Sequence, residues 1–300
     1  MLHQEEIEGT IIKAIAGFYY VATVESGIYA CRARGLFRKL GIRPLVGDRA
    51  RIRVTDEQDK EASLNDILPR RNALIRPSVA NVDQALLLFS LRSPDPEISL
   101  LDRFLVLMEN RKIPVILCFN KTDLVQEKER CFWKERCEAC GYTVFLLNAV
   151  KGEGVDALRS LLRGKTTVIT GPSGAGKSTL INQLQDTVRM ETGEISTKLN
   201  RGKNTTRHAE LIPCGNHTFI CDTPGFTSLD MPGIEAQNLD SCFPEFSPFR
   251  PECYFPDCAH MEETSCGVIR AVKEGKIAED RYASYRRFYE ELKEREKRRY

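Results

Sequence analysis

The sequence predicts a mixed α/β protein in which a doubly wound sheet is flanked by a small N-terminal β-barrel and a C-terminal α-rich segment. Three observations lead to this prediction. Short alternating apolar segments fill roughly the first 70 residues, continuous apolar runs alternate with helical patterns from residue 82, and cysteines cluster near the C-terminus. A chain of 300 residues exceeds what one compact core usually serves, so several domains are expected.

Composition limits the classes of function. The net charge is +2 with 44 basic and 42 acidic residues, so any attraction to nucleic acid must come from local patches. No run reaches the roughly 18 apolar residues that a membrane span needs, and the N-terminus is acidic. We therefore expect a soluble, cytoplasmic protein without a membrane partner. Most of the eleven cysteines stand singly in apolar stretches, which favours reduced, buried thiols over a disulfide framework.

The N-terminal barrel is predicted from three segments, "EGTIIKAIAGFYYVATV", "GIYACRARG" and "GDRARIRVT", which Gly, Asp and Pro signals separate. This region concentrates the basic residues Arg32, Arg34, Arg38, Lys39, Arg43, Arg51 and Arg53. Barrels of this size often bind nucleic acid through such faces, but a solvated surface of mixed charge is an equally open interpretation.

The doubly wound sheet is predicted from apolar runs that have the length of buried parallel strands. The predicted strands are Gln84–Leu91, Val115–Phe119, Thr143–Leu147, Thr166–Thr170 and Thr218–Cys221. The predicted helices between them include Leu100–Asn110, Val155–Arg163 and Lys177–Gln185. Beyond residue 226 this regularity fades, and the chain ends in a charged helical tail. Because Arg and Lys alternate with Glu in this tail, we expect a solvated helix.

A phosphate-binding loop follows the strand "TTVIT" and precedes the helical "STLINQLQ". Glycines at this position let backbone N–H groups surround phosphate oxygens at a helix N-terminus. Lys177 is predicted to reach the β- and γ-phosphates, and the Ser178 hydroxyl to bind Mg²⁺. The residues predicted to contact the phosphates are Gly171, Pro172, Ser173, Gly174, Ala175, Gly176, Lys177, Ser178 and Thr179.

The stretch "NKTD" (Asn120, Lys121, Thr122, Asp123) follows the strand "PVILCF" and predicts that the nucleotide carries guanine. The carboxylate of Asp123 can accept the ring N–H and the exocyclic amino hydrogens of guanine, a pair of donors that adenine lacks. Lys121 would lie over the base and Asn120 would brace the loop. Further on, Asn148 and Ala149 stand where such proteins commonly have Ser-Ala, whose backbone N–H helps hold the guanine oxygen; an ordinary turn is the alternative.

The remaining catalytic candidates lie after the phosphate loop. Asp222 of "DTPGF" is predicted to hold Mg²⁺ through water, and the Gly225 N–H to meet the γ-phosphate. Thr205 and Thr206, in a polar loop, are candidates for a switch that contacts Mg²⁺, with a flexible surface loop as the alternative. Lys177 and Ser178 complete this catalytic set.

The parts of this site are complete, but their order along the chain is rotated, because the base-reading loop precedes the phosphate loop. Such a rotation is tolerable because the site is assembled in space at the ends of strands. The old termini would be joined through a short linker at Gly164. The sequence therefore predicts a circularly permuted GTPase whose switch after Asp222 leads directly into the C-terminal segment.

Four soft ligands, Cys253, Cys258, His260 and Cys266, lie within fourteen residues of a loop-rich stretch. Three thiolates and one imidazole suit tetrahedral zinc without an open position, which favours a structural role. Unpaired thiols beside a surface histidine are the alternative.

Together with "LIRPSVANVDQ" and "FPEF", these features resemble the RsgA family (also called YjeQ or YloQ), bacterial GTPases that act on the small ribosomal subunit during late assembly. The resemblance implies an OB-fold (residues 1–72), a permuted GTPase domain (73–230) and a zinc-binding domain with a helical tail (231–300). It also implies GTP or GDP, Mg²⁺ and one Zn²⁺ as ligands, and the subunit with its rRNA as partner; we expect a monomer.

In two positions the chain departs from the expected pattern. Asn204 replaces the histidine of the family's switch loop, and Phe226 stands where Ras-like enzymes carry a glutamine that orients water. The residue that positions the attacking water is therefore open, and His208 is only a nearby candidate. Slow intrinsic hydrolysis, accelerated by the subunit, is expected. A GTP-dependent RNA-binding module with incidental hydrolysis is the alternative, and an ATP-using kinase is disfavoured by Asp123.

Overall fold

The computed structural model describes residues 6–24, 26–74, 78–192, 209–215, 217–222, 231 and 233–298. Its strands are β1 (Glu6–Ile15), β2 (Phe18–Thr23), β3 (Ile28–Ala33), β4 (Arg49–Asp56), β5 (Glu61–Ile67), β6 (Ala73–Leu74), β7 (Val79–Ala80), β8 (Gln84–Ser90), β9 (Val115–Asn120), β10 (Thr143–Leu146), β11 (Thr166–Thr170), β12 (Leu211–Pro213) and β13 (Phe219–Asp222).

The α-helices are α1 (Gly35–Lys39), α2 (Ile98–Asn110), α3 (Glu127–Glu138), α4 (Val155–Leu162), α5 (Lys177–Thr192), α6 (Gly267–Lys273) and α7 (Glu279–Lys297). Four 3₁₀ helices span Thr122–Leu124, Ala236–Cys242, Pro244–Phe246 and Arg250–Glu252 in the described ranges. The chain divides into two compact units. The first comprises Met1–Gln84, Val155–Thr170 and Lys177–Phe226, and the second Ala85–Gly154, Gly171–Gly176 and Thr227–Tyr300.

In the first unit, strands β1 to β5 form a closed barrel in the order β1-β2-β3-β5-β4. The long strand β1 closes it, because its first residues pair with β4 and its later residues with β2, with a register shift between Ile11 and Lys13. Alternate residues fill the interior, among them Ile11, Val21, Tyr29 and Ile52. The predicted N-terminal barrel is confirmed.

The junction that follows the barrel is fixed by hydrogen bonds. The Ala80 N–H donates to the Val46 carbonyl (2.8 Å), and Asn81 Nδ2 donates to the Gly47 carbonyl (3.0 Å). Asp83 and Thr166 then exchange two bonds of 2.8 and 2.9 Å at the start of β11. The stretch "LIRPSVANVDQ" thus leads the chain from the barrel to the edge of β11.

The α/β part has three strands in each unit. The first unit holds the order β11-β13-β12, with β11 and β13 parallel, and the second holds the parallel strands β10-β9-β8. Every residue of β8 is buried, as its continuous apolar run predicts. All five predicted strands and all three predicted helices are present, with ends that differ by at most two residues except in α5, which extends seven residues beyond the predicted Gln185.

Helix α3 and strand β12 were not predicted from the sequence. Helix α3 ("EKERCFWKERCE") is largely polar and buries only Trp133, Arg136 and Cys137, so its apolar signal is weak. Strand β12 has three residues and gains its order from antiparallel pairing with β13. Neither pattern is visible along the chain alone.

The C-terminal tail is helical as predicted, but one face of α7 is buried where a solvated helix was expected. Its buried residues follow a helical spacing and are Arg281, Ser284, Tyr285, Phe288 and Leu292. The Arg281 guanidinium is fully buried and lies 2.8 Å from Asp102 and 2.6 Å from Glu245. Buried partners for a buried charge explain why this charged sequence can pack inward.

All eleven cysteines are free of disulfides, and seven of them are buried. Burial raises the pKa of Cys31 and of Cys140 to about 12, which keeps these thiols protonated and unreactive. The expected reduced, buried thiols are confirmed. Within the described ranges, every helix is too short or too polar to cross a bilayer.

Candidate functional site

The phosphate loop spans residues 171–176 between the end of β11 and the first residue of α5. Gly171 has a φ of 146°, and a Cβ built on it would lie 1.9 Å from the carbonyl oxygen of Leu88. Gly176 has a φ of 98°, and its Cβ would lie 2.3 Å from Asn120 Nδ2. Both glycines are therefore required by the close approach of backbone to β8 and to Asn120.

The buried side chain of Asn120 joins three segments of the second unit. From the end of β9, its Nδ2 donates to the Ala175 carbonyl and its Oδ1 accepts from the Ala149 N–H, both at 2.9 Å. Because one amide satisfies a phosphate-loop acceptor and a donor of the 148–149 turn, the three loops are fixed relative to one another. The structure thus gives Asn120 the bracing position that the sequence predicts.

The rest of the "NKTD" stretch turns sharply after β9. Lys121 adopts a left-handed conformation (φ 61°), and its Nζ donates to the Ser93 carbonyl. The buried Thr122 donates its N–H to the Leu147 carbonyl at 3.2 Å, while Asp123 is exposed on the 3₁₀ turn that follows. The carboxylate of Asp123 is therefore open to a ligand, and the two residues before it are held by hydrogen bonds.

Asn148 and Ala149 form a tight turn rather than an isolated surface loop. Asn148 and Glu153 exchange backbone hydrogen bonds of 3.0 and 3.1 Å, and Asn148 Oδ1 accepts from the Lys151 N–H at 3.2 Å. The Ala149 N–H is already engaged by Asn120, so a guanine oxygen would have to share it or meet a neighbouring N–H. The turn contacts Asn120 through the Ala149 N–H, and its predicted role in base binding stays a prediction.

Lys177, Ser178 and Thr179 begin α5, where N–H groups at a helix N-terminus favour an anion, and Ser178 is exposed. Asp222 ends β13 and is the register partner of Ile169, two residues before Gly171 in the chain. Its side chain lies outside the described residues. The hydroxyl of Ser178 and the carboxylate of Asp222 are of the hard oxygen type that suits Mg²⁺.

The switch candidates Thr205, Thr206 and Gly225 lie outside the described residues, as do Asn204, His208 and Phe226. Their predicted roles stay predictions. Ser93 was missed, because a carbonyl that accepts from Lys121 leaves no signature in sequence beyond the turn-forming "SPDP".

The predicted zinc ligands Cys253, Cys258, His260 and Cys266 converge. Their four ligand atoms all lie within 4.8 Å of one another. Ligands of tetrahedral zinc are separated by about 3.8 Å between sulfurs and about 3.6 Å between sulfur and nitrogen. The Sγ atoms of Cys253 and Cys266 are 3.8 Å apart, and His260 Nδ1 lies 3.6 and 3.2 Å from them. The residues therefore fit zinc.

Backbone groups support the negative charge of this cluster. The Gly267 N–H donates to the Cys253 sulfur at 3.3 Å, and the Ile269 N–H donates to the Cys266 sulfur at 3.4 Å. Without a cation, burial raises the pKa of Cys258 to about 12, and the adjacent Cys266 and Cys253 add to this rise. A bound cation is therefore what allows three thiolates to coexist here.

Helix α7 holds the zinc loop from outside the ligand set. The Tyr285 hydroxyl donates to the Ala259 carbonyl and the Tyr282 hydroxyl to the His260 carbonyl, both at 2.7 Å. Glu263 accepts from the N–H groups of Ala259 and Met261 at 2.8 Å. These supports leave no signature in the sequence, because α7 follows the ligands in the chain and meets them only in the fold.

Comparison with known proteins agrees with this geometry. Residues 67–232 match the family model described as RsgA GTPase, and residues 8–61 match the model of the RsgA N-terminal domain. The chain belongs to the RsgA GTPase family. A relative from Agathobacter rectalis, named small ribosomal subunit biogenesis GTPase RsgA, is 49% identical over 299 residues, which cover 96% of this chain and 99% of the relative.

Two solved structures are similar over nearly their whole length. The crystal structure of YloQ, a circularly permuted GTPase, has a TM-score of 0.82 at 36% identity and covers 98% of both chains. YjeQ from Thermotoga maritima has a TM-score of 0.81 at 32% identity and covers 96% of this chain and 99% of its own. The predicted fold class, a circularly permuted GTPase with an N-terminal barrel, is confirmed.

As a member of the RsgA GTPase family, the chain is a GTP hydrolase, with GTP and GDP as its nucleotides and Mg²⁺ as the metal of the reaction. The Cys/His cluster is consistent with one zinc ion, as predicted.

We predict that Asn120→Ala weakens GTP binding by roughly 10- to 100-fold, because each buried group left without its partner costs about 1–3 kcal/mol. Titration with a fluorescent GTP analogue measures the effect. Gln126→Ala, which truncates an exposed amide six residues on, is the matched control and should bind as the parent does. Equal affinities for the two variants would contradict the bracing role of Asn120.

Proposed function

We propose that this chain hydrolyses GTP during late maturation of the small (30S) ribosomal subunit, that the subunit stimulates hydrolysis, and that the flanking segments bind rRNA. The proposal that the chain binds and hydrolyses GTP rests on one observation. Asn120 joins the phosphate loop to the 148–149 turn through a pair of hydrogen bonds. The proposal for the subunit half is supported by relatives that match nearly the whole chain and carry the name small ribosomal subunit biogenesis GTPase.

The proposed nucleotide site uses Asp123 for guanine and residues 171–179 for the phosphates. Asp123 is exposed, and both residues that precede it are held: the Thr122 N–H donates to the Leu147 carbonyl, and Lys121 Nζ donates to the Ser93 carbonyl. An acceptor held in this way can select guanine by hydrogen bonds that adenine cannot offer. Lys177 is proposed to stabilise charge on the transferred phosphoryl group, and Ser178 and Asp222 to hold Mg²⁺, which neutralises that charge.

Stimulation by the subunit is proposed from the composition of the switches. Phe226 stands where a water-orienting glutamine would be, and an apolar side chain cannot align water. The barrel contacts the segment before β12 through a salt bridge of 2.9 Å between Lys13 of β1 and Glu210. A partner that binds the barrel therefore has a physical connection to the chain next to the switch candidates Thr205 and Thr206.

Two sets of basic residues in the barrel region differ in their acidic neighbours. Arg49 and Arg51 face Glu8 at 2.7 and 3.2 Å, so their charge is partly neutralised. The segment 34–43 ("RGLFRKLGIR") carries four cations without an acid, and Arg34, Lys39 and Arg43 are exposed. A continuous basic segment on a small barrel is suited to the phosphate backbone of RNA. We propose this segment as the rRNA-binding face.

The domain limits that we propose are 1–72 for the OB-fold, 73–230 for the permuted GTPase domain and 231–300 for the zinc-binding domain. A monomer in the cytoplasm is proposed with them. The competing function, a GTP-dependent RNA-binding module with incidental hydrolysis, shares every feature of the nucleotide site and differs only in whether turnover controls release from RNA.

Asp123→Asn is expected to weaken GTP binding by roughly 100-fold, since a charged acceptor for two donors is lost, and to strengthen binding of xanthosine triphosphate. Xanthine carries a carbonyl where guanine has its amino group, so it can accept from the new amide. Competition titrations with GTP, ATP and xanthosine triphosphate measure this change. Glu127→Gln, an exposed carboxylate four residues on, is the control; an unchanged preference in Asp123→Asn would place the guanine site elsewhere.

Small subunits are expected to raise the rate of GTP hydrolysis by about tenfold or more and to leave ATP unhydrolysed. Lys177→Ala should lower the stimulated rate by at least about 100-fold and trap the protein on the subunit. Phosphate release and co-sedimentation measure the two effects, with the exposed Lys112→Ala as control. If Lys177→Ala is released as fast as the parent, hydrolysis does not drive release and the binding-module alternative is favoured.

Replacing Arg34, Lys39 and Arg43 with glutamine is expected to weaken binding to isolated small-subunit rRNA. It should also reduce the slope of log affinity against log salt by roughly 2, because each phosphate contact contributes about 0.7–0.9. Filter binding across a salt series measures the slope. Glutamines at the exposed Lys112, Lys128 and Arg163 remove the same charge and should leave it unchanged; equal slopes for both triple variants would refute this face.

A further inference from the structure

The imidazole of His260 is buried, and its two nitrogens face different partners. Nδ1 points into the thiol cluster, 3.2 Å from the Cys266 sulfur and 3.6 Å from the Cys253 sulfur. Nε2 lies on the other side of the ring, 3.8 Å from Asp240 Oδ2, and has no hydrogen-bond partner within the described ranges. A buried ring nitrogen without a partner is costly, and the one anionic group facing it is this carboxylate.

Asp240 is itself held in place. It lies in the 3₁₀ helix Ala236–Cys242, and its carbonyl accepts from the Phe243 N–H at 3.1 Å. Its carboxylate is 3.1 Å from Nη1 of Arg250, which precedes the ligand Cys253 by three residues. The same carboxylate oxygen therefore faces both a guanidinium and the histidine ring. The backbone hydrogen bond and the contact with Arg250 hold Asp240 in this orientation.

The chemistry of a neutral imidazole makes this arrangement specific. Only one ring nitrogen carries the proton, and the other offers its lone pair to a metal. An ionised carboxylate can only accept a hydrogen bond, so it favours the tautomer with the proton on Nε2. That tautomer leaves Nδ1, the nitrogen beside the sulfurs, available as a ligand.

We propose that Asp240 is a positioning residue of the zinc site, which orients His260 and fixes its tautomer by accepting the Nε2–H. A metal bound at Nδ1 would make the Nε2–H more acidic and so would strengthen its interaction with Asp240. Asp240 lies thirteen residues before the first cysteine ligand and is not part of the Cys/His motif. Only the fold brings it next to the site.

Zinc affinity of the full chain tests this role directly. Competition with a chromophoric chelator should show that Asp240→Ala binds zinc about 10- to 100-fold more weakly than the parent. Asp257→Asn removes one negative charge beside the ligand Cys258 from an exposed position and is the control, with an expected change within about twofold. Equal losses in the two variants would mean that only general electrostatics is involved, and would overturn the proposal.

A second variant separates positioning of His260 from a brace between Asp240 and Arg250. Arg250→Met breaks the brace but leaves the carboxylate beside Nε2, so zinc affinity should fall by less than about threefold. If Arg250→Met loses as much affinity as Asp240→Ala, the carboxylate acts through the arginine and the proposal fails.

The tautomer of His260 can be observed directly in the parent protein. In the zinc-loaded parent labelled with ¹⁵N-histidine, His260 should show a protected Nε2–H and a metal-bound Nδ1, and in Asp240→Asn this proton should exchange faster. A metal-bound Nε2 or a proton on Nδ1 would refute the proposal even if every variant failed to fold. These measurements need neither GTP nor ribosomal subunits. A result that refutes the role of Asp240 can therefore be distinguished from one that refutes the proposed function.

Discussion

The candidate nucleotide site depends on one side chain, the buried amide of Asn120. Its amide nitrogen donates to the Ala175 carbonyl, and its amide oxygen accepts from the Ala149 N–H. These partners lie 55 residues after and 29 residues after Asn120 in the chain. A hydrogen bond between two loops does not depend on which loop comes first in the sequence. The three loops can therefore occur in any order along the chain, provided that they meet in the fold.

Because these contacts do not depend on the order of the loops in the sequence, the motifs can occur in rotated order. Helix α4 ends at Leu162 and β11 begins at Thr166, so three residues make the connection that a permutation requires. Within that connection the Gly164 N–H donates to Thr218 Oγ1 at 2.9 Å, and the Phe219 N–H donates to the Lys165 carbonyl at 3.0 Å. The linker is therefore anchored to the start of β13 and keeps β11, which leads into the phosphate loop, in register with the strand that ends at Asp222.

The sequence predicted those features whose signal is local. The phosphate loop, the "NKTD" turn and the four zinc ligands each carry their geometry in a short stretch with fixed spacing, and the structure brings the described members together. What it did not predict depends on residues far apart in the chain. Ser93 meets Lys121, Asp240 faces His260, and Arg281 is buried against Asp102. No sequence pattern distinguishes these residues from ordinary surface residues.

The buried face of α7 shows why tertiary contacts decide such cases. Periodicity alone cannot distinguish a charged residue that faces water from one that is paired inside, and Arg281 is the second kind because Asp102, Glu245 and the ring of Phe243 surround it. Removing Asp102 or Glu245 would leave the buried guanidinium with one carboxylate partner instead of two, which is costly for a charge that cannot reach water.

The same pairing connects the zinc loop with the phosphate loop inside the second unit. Tyr282 and Tyr285, next to Arg281 on α7, hold the carbonyls of the zinc loop, and Asp102 lies on α2. Helix α2 follows β8, whose Leu88 carbonyl is where Gly171 makes its close approach. Zinc loop and phosphate loop thus share β8 and α2 as their common support, and a change in either loop that moves this support must be accommodated by a buried ion pair with few alternative arrangements.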